Sequence, residues 1–214
     1  MEFKTNFVVF DTETSGLSSE KHGLMEIAMI AFNSKLEQIG TYDSLIKPYG
    51  NYEVNPFALE HNGLTMDQIE KSGKDSKIVA KEISDFFTKV KVPGRGGKPI
   101  VCGHNVDKFD IPFLDTFMDF NKKDLSKLIN IDFTIDTMWW ARIMWQESEN
   151  YKLGTSCRNA GIELIDAHRA MNDTKVTAEL VKFFLKNLRG IGNVGQEVKS
   201  EDKGSLREKH NFDY

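Results

Sequence analysis

Phe7-Val8-Val9-Phe10-Asp11-Thr12-Glu13-Thr14-Ser15-Gly16-Leu17 sets the frame of the fold. Its first four residues form a short apolar run, the signature of a buried strand. The run ends at Asp11, where two carboxylates begin, two positions apart. Residues i and i+2 of a strand share a face, so Asp11 and Glu13 emerge side by side at the edge of a sheet. Two like charges about 4 Å apart repel by roughly 4 kcal/mol at an effective dielectric of 20. A cation between them relieves that repulsion. A solvated turn, which Asp, Thr and Gly16 also suit, is the plainer alternative.

Outward from this strand, residues 25–32 and 38–46 read as two more, separated by the turn-forming Asn33-Ser34-Lys35. Three strands with short links predict an antiparallel meander. Residues 55–72 read as loop and short helix. Ile78, Ile83, Phe86, Phe87 and Val90 then mark a helical stripe, closed by Pro93-Gly94-Arg95-Gly96-Gly97. Residues 99–102 make a fourth strand and 129–135 a fifth. Between them Phe113, Leu114, Phe117 and Met118 mark a helix, with Pro112 in its first turn, where proline fits. Helices over 138–145, 153–160 (closed by Gly161) and about 170–188 complete the order. Strands first, then strands alternating with helices, predict an α/β domain with a central mixed five-stranded sheet flanked by helices. That domain spans residues 1–189. Residues 190–214, rich in glycine and charge without an apolar period, read as a flexible tail.

Composition narrows the function classes. Of 214 residues, 40% are hydrophobic and 28% charged, which describes a globular protein. No apolar run approaches the roughly 18–20 residues of a membrane span. Met1-Glu2-Phe3-Lys4-Thr5 lacks the features of a signal peptide, so an intracellular protein is expected, away from membranes. The net charge of −4 argues against a protein that coats long nucleic acid, but not against one that grips a few nucleotides beside metal ions. Cys102 and Cys157 lack the paired spacing of a disulfide framework or a zinc site.

Two further carboxylates attract notice. Asp110 precedes Phe113, Leu114 and Phe117 at i+3, i+4 and i+7, which aims it toward the protein, although a helix N-cap is the simpler role. Asp173 shares a helical face with Val176, Thr177 and Leu180, and a charge on that inward face needs a partner. His168 lies before that helix. Trp139, Trp140 and Trp145 read as packing rather than a stacking platform, and Asp136 as a helix cap. His22 and His104 read as structural, and Asp107 as a surface acid.

Taken in order, FDTETSGL, GHNVDKFDIPFL and HRAMNDTKVTAEL resemble the three exonuclease motifs of the DEDDh (DnaQ-like) family, within the RNase T/TREX superfamily. The resemblance covers about residues 5–188. Met25-Glu26-Ile27-Ala28, Asn55-Pro56, His61 to Thr65 and Ile135-Asp136-Thr137 echo it. One departure stands out: three residues separate Asn105 from the Phe109-Asp110 pair, where many bacterial members have two.

The resemblance implies an RNase H-like exonuclease fold and 3′→5′ hydrolysis of single-stranded ends, DNA favoured, releasing nucleoside 5′-monophosphates. It implies that Asp11, Glu13, Asp110 and Asp173 bind two Mg²⁺ ions, with Mn²⁺ able to substitute. One ion activates a water and the other stabilises the leaving 3′ oxygen. His168 would be the general base, so activity should rise with pH through roughly 6–7. Thr14, Ser15, Gly16 and Leu17 would cradle the terminal nucleotide, Leu17 as a wedge and Gly16 for close backbone approach. His61, Asn105 and Phe109 count as further substrate contacts, with core packing the alternative for Phe109. A polymerase is a candidate partner. An RNA 3′ exonuclease of the RNase T or oligoribonuclease type, and a non-catalytic docking module, are the alternatives.

Overall fold

The computed structural model describes residues 5–92, 97–163 and 169–199, with side chains only to 190 in the last stretch. The chain divides into two compact units, Met1–Val181 and Lys182–Tyr214. The first begins with strands β1 (Phe7–Thr14), β2 (Leu24–Phe32) and β3 (Gln38–Leu45), then helices α1 (Pro56–Asn62), α2 (Met66–Ser72) and α3 (Ser76–Lys89). Next come β4 (Ile100–Gly103), α4 (Asp110–Phe120), β5 (Thr134–Asp136), α5 (Thr137–Met144) and α6 (Leu153–Asn159), and α7 (Ala170–Lys199) starts in this unit. In the second unit the rings of Phe183 and Phe184 meet edge-on, 5.7 Å apart.

The sheet order is β3-β2-β1-β4-β5. The first three strands pair antiparallel, while β4 and β5 run parallel to β1. This is the expected mixed five-stranded sheet. β2 is buried along its whole length, as a strand covered on both faces must be. β3, at one edge, is mostly exposed or half-buried. Val8, Phe10, Ile27 and Met29 join Val79, Ile83 and Phe87 of α3 and Leu114 and Phe117 of α4 in one core. Each such side chain contributes about 1.5–3 kcal/mol when fully buried.

Local chemistry sets the helix ends. Thr65 and Gln68 form a reciprocal capping box at the start of α2, and Asp75 caps α3 through Lys77 N–H. Gly161 closes α6 with φ of 71°, the left-handed region that glycine adopts without penalty. Cys102 and Cys157 are free and buried. Among the described residues no helix is long and apolar enough to cross a membrane.

Structure and expectation differ most in four places. β1 extends through Asp11 and Glu13 to Thr14, so these acids lie within the strand. The fifth strand is confined to Thr134–Asp136. The apolar residues before it lie in turns, because Asn130 accepts from the backbone N–H of Asp132 and of Phe133, an arrangement that competes with strand pairing. Ile78 is exposed on the flank of α3 while Val79 and Ala80 face inward, in phase with Ile83 and Phe87. Helix α7 runs past the expected end near Leu188 to Lys199; no proline interrupts it, and interior glycines weaken a helix by only about 1 kcal/mol each. The rest of the proposed tail, 200–214, lies outside the described residues, as does most of the loop at 93–97.

Candidate active site

Three acids meet at one end of the sheet. Asp11 and Glu13 project from the same face of β1, and Asp173 approaches from the first turn of α7. Ligand atoms of the three lie within 4.8 Å of one another. The helix is seated beside β2 at Thr174, whose hydroxyl donates to Ala170 O at 2.6 Å and lies 3.3 Å from Ala28 O, and Ala28 is the cross-strand neighbour of Asp11. Glu26 is likewise the cross-strand neighbour of Glu13. It is buried, and Arg169 grips it with Nε at 3.2 Å and Nη2 at 2.9 Å.

Asp110 stands outside the 4.8 Å group but close beside it. Pairing between β1 and β4 stops at Val9, which leaves the backbone N–H of Thr12 without a strand partner on that edge. Asp110 supplies the acceptor: its Oδ1 takes the Thr12 N–H at 3.0 Å and the Thr12 hydroxyl at 2.7 Å.

Crowding and burial raise the proton affinity of these groups. Asp11 is pushed well above the ordinary carboxylate range by burial first, then by Asp110, Glu13, Asp173 and Glu26. Glu13 is raised to about 8 by burial and then by Asp173, Glu26 and Asp110, with Arg169 opposing. Asp110 is raised to about 7 by burial, and the Thr12 hydrogen bonds hold it from going higher. Buried like charges of this kind demand a counter-cation. The donor atoms are all carboxylate oxygens, which suit a hard divalent ion. The residues therefore fit a metal.

A cleft of about 320 Å³ adjoins the acids. Its walls include Thr12, Glu13, Thr14, Gly16, Leu17, His61 and Phe109, which brings most of the expected contacts together. Leu17 is 86% exposed. Ser15 and Asn105 do not line the cleft. Ser15 is buried, where its hydroxyl donates to Glu53 O at 2.6 Å and accepts from Gly23 N–H at 2.8 Å. Asn105 adopts a positive φ of 63° and its N–H donates to Asp136. Gly16 is also accounted for differently: a Cβ there would meet the His22 ring at 2.1 Å. Space beside His22 requires the glycine.

Phe57 and Ala58 of α1 line the cleft too, and sequence reading missed them. Phe57 is 78% exposed; the only signal is its place after Pro56 at the start of a helix. Asn62 fixes this wall to the loop by donating to Thr14 O at 3.1 Å. His168 lies outside the described residues. Asp107 is exposed, as expected of a surface acid. Asp136 caps α5 through Met138 N–H, and its Oδ2 is buried without a hydrogen-bond partner among the described residues. The His104 ring bridges Thr137 and the Tyr151 carbonyl, a structural role. Trp139 is half-exposed, with the Arg142 guanidinium over its ring.

The RNase T family profile, described as exonuclease, matches residues 8–181. Among curated relatives, the PolC-type DNA polymerase III of Bacillus cereus is 31% identical over 182 residues, covering 85% of this chain and 11% of that protein. That of Oceanobacillus iheyensis is 30% identical over 179 residues, again covering 11% of its length. The chain thus spans about a tenth of these relatives. Among solved structures, E. coli exonuclease I in complex with a dT13 oligonucleotide aligns with TM-score 0.73 at 22% identity, over 89% of this chain and 43% of that one. The zinc-bound form of its single-stranded DNA complex aligns with TM-score 0.72 at 23% identity, over 86% and 41%. The mixed sheet and flanking helices match that RNase H-like fold.

Proposed function

Because the chain belongs to the RNase T exonuclease family, we propose that this nuclease removes nucleotides one at a time from the 3′ end of single-stranded DNA. The convergence of Asp11, Glu13 and Asp173 within 4.8 Å carries the reading, with Asp110 held beside them by Thr12. These carboxylates hold Mg²⁺, with Mn²⁺ able to replace it. When bound, the cations supply charge neutralisation at the scissile phosphate and make a water a better nucleophile. His168 accepts the proton from that water.

The terminal nucleotide lies in the neighbouring cleft. Leu17 and Phe57 present apolar surface to its base, and His61 and Phe109 bound the space around it. The loop carrying Leu17 is braced before substrate arrives, by Ser15 to Glu53 and by Asn62 to Thr14. Such preorganisation places the end of the strand without a large ordering cost. Apolar stacking reads little sequence, so sequence preference is weak.

Support for DNA comes from the oligonucleotide bound to exonuclease I and from the PolC polymerases among the relatives. The same relatives support a replicative polymerase as partner. The test is digestion of 5′-labelled single-stranded DNA and RNA of one sequence, with and without Mg²⁺, by the native chain and Asp173→Asn. A Mg²⁺-dependent ladder on DNA, lost in the variant, is expected. A ladder that persists in the variant contradicts the site, and preferential loss of the RNA contradicts the substrate.

A further inference from the structure

Glu26 has no place among the acids that hold metal, yet it sits directly across from Glu13 on the neighbouring strand. Like charges facing each other across strands are destabilising, and Glu26 adds to the repulsion felt by both Asp11 and Glu13. An apolar residue would suit this otherwise apolar buried strand better. What Glu26 does instead is bind the start of α7. Both its oxygens are engaged by Arg169, and the backbone N–H of Ala170 approaches Oε2 at 3.4 Å. One turn later the buried Thr174 hydroxyl, which donates to Ala170 O at 2.6 Å, rests 3.3 Å from Ala28 O. The first turn of α7 is thereby pinned to β2 at the two residues that pair with Glu13 and Asp11. Asp173 lies between those two anchors.

We propose that the Glu26–Arg169 pair is a positioning device for the metal site, which sets the distance of Asp173 from Asp11 and Glu13. The inference rests on the function proposed above. Glu26 acts through the helix it anchors, with its carboxylate paired to Arg169. The planar guanidinium matters because two donors fix an angle as well as a distance. A single ammonium at the same place would keep the charge balance and lose the orientation.

Charge-preserving variants isolate that geometry. Arg169→Lys and Glu26→Asp leave the net charge of the site unchanged. Arg169 is half-exposed, so its variant is the safer one for folding. Thermal stability is measured in EDTA and then against increasing magnesium chloride, for the native chain and both variants. The expected result is a concentration for half-maximal stabilisation about tenfold higher in the variants, the usual cost of disturbing a residue that orients metal ligands. Nuclease turnover at saturating Mg²⁺ should recover toward the native value. Half-saturation within twofold of native in both variants overturns the inference, even if their metal-free melting temperature falls. A native chain that Mg²⁺ does not stabilise at any concentration overturns the metal reading as well.

Discussion

The carboxylate of Asp110 accepts both the backbone N–H and the hydroxyl of Thr12, at 3.0 and 2.7 Å, across 98 positions of chain. Thr12 stands between Asp11 and Glu13, so this contact fastens the head of α4 between two acids of β1. It also favours the ionised form of Asp110, which burial opposes.

Thr12→Val removes the hydroxyl donor while keeping the side-chain shape. The variant should lose about 1–2 kcal/mol of stability in urea unfolding. The Asp110 carboxyl should titrate above its native value of about 7, and Mg²⁺-dependent activity should fall at least tenfold at pH 7. Carbon NMR of the labelled carboxyl and a nuclease assay check this; an unmoved titration midpoint would refute the role.

Stability of the metal-free protein should depend on pH in a defined direction. Glu13 and Asp110 titrate near 8 and 7 in the folded chain, against about 4.3 and 3.9 when unfolded. Between those values the folded state keeps protons that the unfolded chain has lost, so stability declines as pH rises. The melting temperature in EDTA should fall from pH 5 to pH 8.5, a loss of roughly 5–7 kcal/mol at about 1.4 kcal/mol per unit for each group. Glu13→Gln, which mimics the protonated acid, should flatten that decline. Scanning calorimetry across the range decides; an equally steep decline in the variant would show that Glu13 contributes nothing to it.

Leu17 and Phe57 are highly exposed at the mouth of the cleft, so truncating either should leave stability within about 0.5 kcal/mol of native. Binding should suffer instead. Leu17→Ala and Phe57→Ala should each raise KM for single-stranded DNA by about tenfold, roughly 1.4 kcal/mol, within the range of one base–aromatic stack. Steady-state kinetics beside a thermal melt separates the two effects, and native KM in both variants would remove these residues from the substrate path.

Gly16→Ala should destabilise the chain by about 1–3 kcal/mol, because the added methyl overlaps the His22 ring. His22→Ala opens that space. The double variant should therefore be more stable than the sum of the single losses predicts. Strict additivity in chemical denaturation would show that the glycine is needed for another reason.

Much of this site was legible in the chain before any coordinates. Asp11 and Glu13 could be placed on one strand face because strand geometry alternates every residue. Asp173 could be aimed inward because Val176, Thr177 and Leu180 set the phase of its helix. Glu26 was readable only as part of a motif echo, since nothing within four residues of it announces Arg169. Phe57 was missed because an exposed aromatic leaves no periodic trace. The turns around Asn130 were mistaken for strand because Ile129, Ile131 and Phe133 alternate as a strand would.

Local sequence determined the order of strands and helices, their caps, and the acids that make a metal-dependent nuclease the natural reading. These depend on interactions between residues a few positions apart, which composition and spacing report directly. Tertiary structure alone decided that Asp110 is tied to the backbone between Asp11 and Glu13. It also decided that Arg169 neutralises Glu26 from 143 positions away. Those outcomes turn on desolvation and ångström-scale distances between segments that meet only once the core has packed.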